Sequence, residues 1–511
     1  MYFAVDIIQQ IDKWAEMTPD RVVYDYLGDT KTYKELKEYS DKIAQYLVGL
    51  NLQKKAPILV YGGQTFEMIA TFLAIVKAGH SYIPVDSESP KERIMQIMEI
   101  SQPVACIAIE SFPLVLKEDV PLISKQMLEG ILESEPSVFD VKQYQIKGDD
   151  VFYIIFTSGT TGMPKGVQIS VNNLQSFLSW MKSDFGIVAG KTFLAQAAYS
   201  FDLSVMSIYP ALTQGGRLAA LPKKVTDNFK ELFECLPRME LNIWVSTPSF
   251  MDICLLDKNF NEEEYPELTH FLFCGEELTK KTAQQLHERF SKASIYNTYG
   301  PTEATVAVSQ VEVNETILKN YSRLPIGLAK EDTELIVVDE NLDVLPNNNA
   351  GELLIIGPSV SKGYLNNPEK TANAFVKFQG KFAYRTGDLA EINDEGQLLY
   401  HGRVDFQVKL HGFRIELEEV DHHLGQVSLI KQATCAPKYD VNHKVSQIVA
   451  YVVAKENDYP SDFSLTKAIK EELTTLMMPY MIPQKFVYVD SLPLTNNGKV
   501  DRKKILHEVN C

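Results

Sequence analysis

Residues 157–166 read Thr-Ser-Gly-Thr-Thr-Gly-Met-Pro-Lys-Gly, directly after the apolar run Val-Phe-Tyr-Ile-Ile-Phe at 151–156. A buried-strand pattern thus feeds a loop with three glycines, four hydroxyl residues and one lysine. Glycines let backbone N–H groups approach anionic oxygens, hydroxyls add donors, and the lysine supplies a mobile charge, so the loop suits a polyphosphate. A Walker A loop needs Gly-x-x-x-x-Gly-Lys-Ser/Thr, and here Lys165 follows Pro164 and precedes Gly166.

Further along, residues 297–303 read Asn-Thr-Tyr-Gly-Pro-Thr-Glu and residues 384–388 Tyr-Arg-Thr-Gly-Asp. Residues 401–416 read His-Gly-Arg-Val-Asp-Phe-Gln-Val-Lys-Leu-His-Gly-Phe-Arg-Ile-Glu, and residues 493–502 Pro-Leu-Thr-Asn-Asn-Gly-Lys-Val-Asp-Arg. In this order the five segments resemble the adenylate-forming superfamily of acyl-CoA synthetases, luciferases and peptide-synthetase adenylation domains. The resemblance implies ATP with Mg²⁺, a carboxylate that attacks the α-phosphorus, and a thiol that then takes the acyl group from the adenylate.

It also implies roles. Thr157, Ser158, Thr160, Thr161 and Lys165 would hold the departing pyrophosphate. Asn297, Thr298, Tyr299, Gly300 and Pro301 would line the nucleotide site, with Tyr299 against adenine. Thr302 would bond the phosphate and Glu303 would hold Mg²⁺. Asp388, with Arg403 and Tyr400, would take the ribose. Lys499 would bridge the substrate carboxylate and the α-phosphate, leaving Lys165 a secondary part. A hinge is expected at Asp405. Around it a C-terminal module would turn between two poses, one presenting Lys499 to ATP and the other placing residues 409–414 where the thiol approaches.

Asp202 falls where amino-acid-activating members pair the substrate ammonium; the plain alternative is a helix N-cap. Cys274, Leu203, Met206, Thr298 and Val306 fall at positions that line the side-chain pocket, and a cysteine at 274 favours a small substrate and one stereoisomer. The pattern is similar to members that load D-alanine onto a separate phosphopantetheinylated carrier protein for lipoteichoic-acid alanylation. Twelve residues follow Lys499 without a Gly-Gly-x-Ser site, which agrees with a separate carrier. A CoA ligase for a small carboxylate, a stand-alone peptide-synthetase-type enzyme and a non-catalytic nucleotide-binding protein stay open. One departure is Ser170-Val-Asn-Asn173, where many relatives carry a histidine.

Positioning these groups takes a large scaffold. Strand patterns alternate with helical ones from a capping box at Thr32 and Glu35 through residues 58–61, 81–85, 193–197, 243–245, 271–273 and 294–297, an α/β arrangement with a largely parallel sheet. From about Glu334 the texture becomes β-rich, with strands at 334–338 and 352–356. A helix at 416–424, strands at 448–454 and 486–489 and a helix at 465–476 describe an α+β module. The expected division is a large N-terminal domain, 1–403, with αβ layers and a small β-rich subdomain, and a mobile C-terminal domain, 404–511.

At 511 residues the chain exceeds one ordinary core. A net charge of −17 disfavours nucleic acid as a partner. The six scattered cysteines support neither a disulfide framework nor a zinc site. The apolar segment 68–76 is too short to span a bilayer. A cytoplasmic protein without membrane insertion is expected.

Overall fold

The computed structural model describes residues 6–134, 140–159, 162–440, 444–494 and 500–511. One sheet orders six strands as Leu122–Ile123, Ala105–Ala108, Pro57–Tyr61, Ser81–Val85, Val151–Thr157 and Lys165–Ser170, parallel except for the last pair. A second sheet has nine strands. Its central run, Val22–Tyr26, Arg217–Ala220, Thr192–Ala195, Ile243–Ser246, His270–Phe273 and Ser294–Tyr299, is parallel.

Two helices, Phe66–Lys77 and Leu203–Thr213, are buried almost all round and share one apolar core with strands of both sheets. Their sequences are apolar on every face, which only a layer enclosed on both sides can accommodate. Phe72 stacks on Tyr82 with ring centroids 4.2 Å apart, and the Tyr82 and Tyr209 hydroxyls meet at 2.6 Å, tying the two helices to one strand. The apolar stretch 68–76 is therefore core, and Lys77 ends it fully buried. Its ammonium is held by Asp12 at 2.8 Å and Asp41 at 2.7 Å. A charge at that depth requires such partners.

The β-rich region is a five-stranded antiparallel sheet of Glu334–Val338, Gly351–Ile356, Lys381–Ile392, Phe375–Phe378 and Leu398–Arg403. The hairpin Gln407–Leu410 and Phe413–Glu416 follows, then helix Leu417–Gln426. Strands Ile430–Tyr439, Val445–Ala454 and Lys485–Tyr488 form a last sheet, flanked by helices Asp462–Leu476 and Arg502–Asn510.

The capping box at Thr32 and Glu35 is formed. Sequence periodicity missed helix Ile7–Met17 and the hairpin Val22–Tyr26 and Asp29–Thr32, whose partly exposed strands carry little alternation. The expected strand at 193–197 is Thr192–Ala195. The expected helix at 416–424 is Leu417–Gln426, with Glu416 as its cap residue. Among the described residues no helix is long and apolar enough to cross a membrane.

Candidate active site

The phosphate-type loop joins an antiparallel pair. Thr157 ends one strand opposite Lys165, which begins the next, so the lysine belongs to a strand and not to the loop proper. Pairing fixes the direction of its side chain, which passes over the Tyr364 ring, 5.4 Å from the centroid. The Thr157 hydroxyl is buried without a partner among the described residues, and the residue lies in the wall of a cavity. A buried donor left open in this way fits a phosphate oxygen. Thr160 and Thr161 lie outside the described residues.

Ser158, Asp202, Leu203, Cys274, Tyr299, Gly300, Pro301, Thr302, Val306, Asp388 and Arg403 line this same cavity. Met206 does not; it is wholly buried in the core behind it. Asn297, Thr298 and Tyr400 line an adjoining cavity that reaches Lys444 and Arg502. The Asn297 amide donates to the Pro325 carbonyl at 2.8 Å and the Thr298 hydroxyl to the Phe273 carbonyl at 2.8 Å. These two side chains hold the strand end and the neighbouring loop.

Asp202 stands at the N-cap of Leu203–Thr213, yet its side chain makes no capping bond. It instead accepts from the Thr302 hydroxyl at 2.6 Å. Burial pushes its carboxyl up, with the Thr302 bond only partly opposing. A half-buried carboxylate facing a cavity in this condition gains from a cation placed there. Cys274, also buried with its thiol pushed up by burial, points toward the Val306 carbonyl, Sγ to O 3.7 Å. Thr305 and Val306 take φ of 59° and 70°, left-handed conformations unusual for β-branched residues. That turn brings Val306 into the pocket wall. Gly300 lies against it, where a Cβ would come within 2.5 Å of the Ala307 Cα.

Tyr299 donates to Asp388, and Arg403 holds the other Asp388 oxygen at 2.8 Å. Arg403 is gripped in turn by Asp405, at 2.6 and 2.5 Å. Burial works against the Arg403 charge, but the two aspartates outweigh it and raise its pKa further. Asp405, in the short bend between Leu398–Arg403 and Gln407–Leu410, therefore ties the bend where a hinge is expected to the Asp388 side of the cavity.

Glu303 is fully buried. Its carboxylate accepts from the Tyr364 hydroxyl at 2.8 Å and from one Arg414 nitrogen at 2.9 and 2.7 Å. Burial alone would raise its pKa, but Arg414, Lys165 and the Tyr364 bond hold it down at about 2. A single carboxylate is a sufficient protein ligand for Mg²⁺ that arrives on phosphates. Among the described residues no cluster of three His, Cys, Asp or Glu could hold a metal by itself. The donor set thus fits a cation carried in with nucleotide.

The hairpin 407–416 reaches into this site. Its turn, His411 and Gly412, has φ of 53° and 83°, and Gly412 presses on Thr247, where a Cβ would meet a methyl at 2.3 Å. Phe413 is stacked on Tyr480 at 3.8 Å and meets Phe201 edge-on at 4.8 Å. Lys409, Gly412 and Arg414 line the cavity beside Asp202 and Cys274. Lys499 lies outside the described residues. Arg93, Tyr364, Glu416 and Glu419 form contacts that sequence reasoning gave no role, and Arg414, expected only along the thiol's approach, is bonded to Glu303. In the segment that lacks the histidine, Ser170 caps helix Val171–Ser183, Asn173 completes the capping box, and the Asn173 amide donates to the Pro358 and Val360 carbonyls at 2.6 and 3.0 Å.

Residues 11–365 match the family described as AMP-binding enzyme, and residues 419–499 the AMP-binding enzyme C-terminal domain. The chain is 58% identical over 506 residues to a D-alanine–D-alanyl carrier protein ligase of Lactiplantibacillus plantarum, covering 99% of both. It is 52% identical over 510 residues to one of Streptococcus agalactiae, again covering 99% of both. Among solved structures it is similar to the o-succinylbenzoate CoA synthetase of Bacillus subtilis, with TM-score 0.83, 20% identity and 98% of each chain covered. It is also similar to the Vibrio cholerae adenylation domain AlmE in complex with glycyl-adenosine-5'-phosphate, with TM-score 0.81, 22% identity, and 100% and 98% covered. The phosphate-type loop, the Asp388–Arg403 pair and the hairpin-lined cavity sit within a chain that belongs to the AMP-binding enzyme family.

Proposed function

We propose that this protein activates D-alanine with ATP and passes it to the phosphopantetheine thiol of a separate carrier protein, the loading reaction that serves lipoteichoic-acid alanylation. A D-alanine carboxylate oxygen attacks the α-phosphorus, the bond to the β-phosphate bridging oxygen breaks, and D-alanyl-adenylate and pyrophosphate form. The carrier thiolate then attacks the acyl carbon and AMP leaves with the electron pair of the broken C–O bond.

The observation that carries the amino-acid reading is Asp202. Its carboxylate is half-buried at the cavity wall, is not used as a helix cap, and faces the space beside Cys274 and Val306. A substrate ammonium supplies the charge that burial denies it. On this reading the Cys274 thiol, in the cavity wall beside Val306, narrows the pocket toward a small side chain and favours one hand. The relatives of like length that bear the D-alanine–D-alanyl carrier protein ligase name support the substrate and the carrier.

On this reading Thr157, Ser158 and Lys165, with Thr160 and Thr161, hold the β- and γ-phosphates. Asp388 and Arg403 orient the ribose beside Tyr299 and Tyr400. Glu303 holds Mg²⁺, which when bound draws charge from the phosphate oxygens. Thr302 links the two halves of the site, since its hydroxyl is bonded to Asp202 while its neighbour is Glu303. Lys499 supplies the positive charge between the substrate carboxylate and the α-phosphate in the first half-reaction. The reaction takes place in the cytoplasm, where ATP is present.

ATP–pyrophosphate exchange across D- and L-amino acids and short carboxylic acids tests the reading. Exchange is expected with D-alanine well above L-alanine, and negligible with propionate. Exchange driven equally by propionate and D-alanine overturns it in favour of a carboxylate CoA ligase.

A further inference from the structure

Thr305 and Val306 hold a turn that their own side chains resist. Both are β-branched and both have positive φ, 59° and 70°, so the conformation persists only where its surroundings fix it. The Thr305 hydroxyl donates to the Ser359 carbonyl at 2.7 Å. The Ser361 N–H donates to the Glu303 carbonyl at 2.8 Å. Residues 359 and 361 thus grip the turn at 305 and 303. Val306 is carried into the cavity wall by it, with its carbonyl 3.7 Å from the Cys274 Sγ.

The gripping segment is itself fixed. Residues 362–365 run antiparallel beside strand Lys165–Ser170, with the Lys362 N–H donating to the Gln168 carbonyl at 3.1 Å and the Leu365 N–H to the Gly166 carbonyl at 2.8 Å. At 358–360 the hold passes to one side chain. The Asn173 amide donates to the Pro358 and Val360 carbonyls, on either side of Ser359, at 2.6 and 3.0 Å. Its Oδ1 accepts from the Ser170 N–H and hydroxyl, both at 2.8 Å, so the capping box sets the direction of the amide. Asn173, Ser359 and Thr305 are all buried. A partner lost from this chain of bonds leaves a donor or acceptor open out of water.

A substrate whose ammonium lies at Asp202 and whose carboxylate points to the α-phosphate has two of its groups fixed. Exchanging the hand then swaps only the methyl group and the hydrogen on Cα. The wall that closes on the methyl group decides between them, and Val306 and Cys274 stand in that wall.

We propose that Thr305 and Asn173 are positioning residues for stereoselection. Neither lines the cavity, and together they set where Val306 meets the substrate. The inference rests on the D-alanine reading above and adds two residues to it, one of them in the segment that lacks the histidine.

ATP–pyrophosphate exchange with D- and L-alanine tests this in the full-length protein, with KM measured for each amino acid and for ATP. Thr305→Val keeps the shape and removes only the donor, whereas Thr305→Ser keeps the donor. Asn173→Asp keeps the acceptor for Ser170 and turns an oxygen, not an amide donor, toward the two carbonyls. Ser170→Ala is the stability control, since it removes the capping hydroxyl and leaves the amide's bonds to residues 358 and 360 in place. Thr305→Val and Asn173→Asp are expected to lower the D-over-L ratio of kcat/KM about tenfold, the scale of one misfitted small group in an apolar pocket. KM for D-alanine rises in both and KM for ATP stays near its natural value. Thr305→Ser restores the ratio, and Ser170→Ala lowers the melting temperature without changing it. The ratio, unlike total activity, does not depend on the fraction of molecules folded.

A natural D-over-L ratio in either Thr305→Val or Asn173→Asp overturns the proposal. So does an equal fall in Ser170→Ala, because the ratio would then follow stability alone. In those cases a natural chain that prefers D-alanine keeps the parent reading, and only the positioning fails. A natural chain without D-alanine-dependent exchange sinks both. If Asn173→Asp does not fold, Thr305→Val against Thr305→Ser decides the matter through a single hydroxyl.

Discussion

Asp202 shows how one carboxylate is read differently by sequence and by structure. Its place before Leu203–Thr213 makes it an ordinary helix cap, but its oxygen is bonded to Thr302 and not to the helix N–H groups. Replacing it with Ala is expected to weaken D-alanine binding by about 2–5 kcal/mol, the usual loss when one member of a buried charge pair is removed. ATP affinity should change little, and separate titrations of the two ligands check this. Equal losses would contradict the pairing. Cys274→Ala should admit L-alanine and reduce the D-over-L ratio in exchange about tenfold, the scale of discrimination by one small group in an apolar pocket. An unchanged ratio would place the handedness elsewhere. Lys499→Ala should lower exchange by about 10²–10³-fold, the loss typical of one charge-stabilising donor. Near-normal exchange would remove it from the first half-reaction.

At the scale of elements, the hairpin 407–416 matters most. Its two-residue turn with positive φ at both positions suits the twist of the paired strands, and Gly412 combines that conformation with the tightest approach to Thr247. Gly412→Val should therefore cut thioester formation by about 100-fold, the effect of roughly an ångström of misplacement, while exchange persists. Single-turnover transfer from preformed adenylate measures it, and unimpaired transfer would deny the hairpin its place at the thiol's approach. The loop at 157–166 was legible from glycine and hydroxyl content, and the strand before it from its apolar run. Alternation of strand and helix patterns also exposed the α/β layers. Arg414 on Glu303, Glu416 on Lys165 and Glu419 on Gly159 were not legible. These partners are 111, 251 and 260 residues apart, and local spacing does not say which carboxylate meets which donor across so long a stretch of chain. The Thr302 bond and cavity position that give Asp202 its meaning are likewise properties of the assembled layers.

For the whole molecule, the described residues divide by core. Buried apolar clusters that include the two large sheets and the β-rich sheet end by Tyr400, and those of the last module begin at Val408. Contact between the two parts is chiefly charged and hydrogen-bonded, with the Phe201–Phe413 ring pair and the Lys444 bridges to Asp252 and Glu276 at 3.5 and 3.6 Å. Residues 404–511 are expected to fold alone, with a cooperative thermal transition followed by circular dichroism, because the module keeps its own core. A non-cooperative melt would show that it depends on the larger part. Gly162, under the His422 ring, carries a consequence for how the protein tolerates change. If the loop holds phosphates as proposed, selection on it acts through a small molecule as well as through the protein's own helix, which lies on Gly162. A substitution map scored by nucleotide affinity alone will therefore pass variants at this position that fail when the acyl group has to move on.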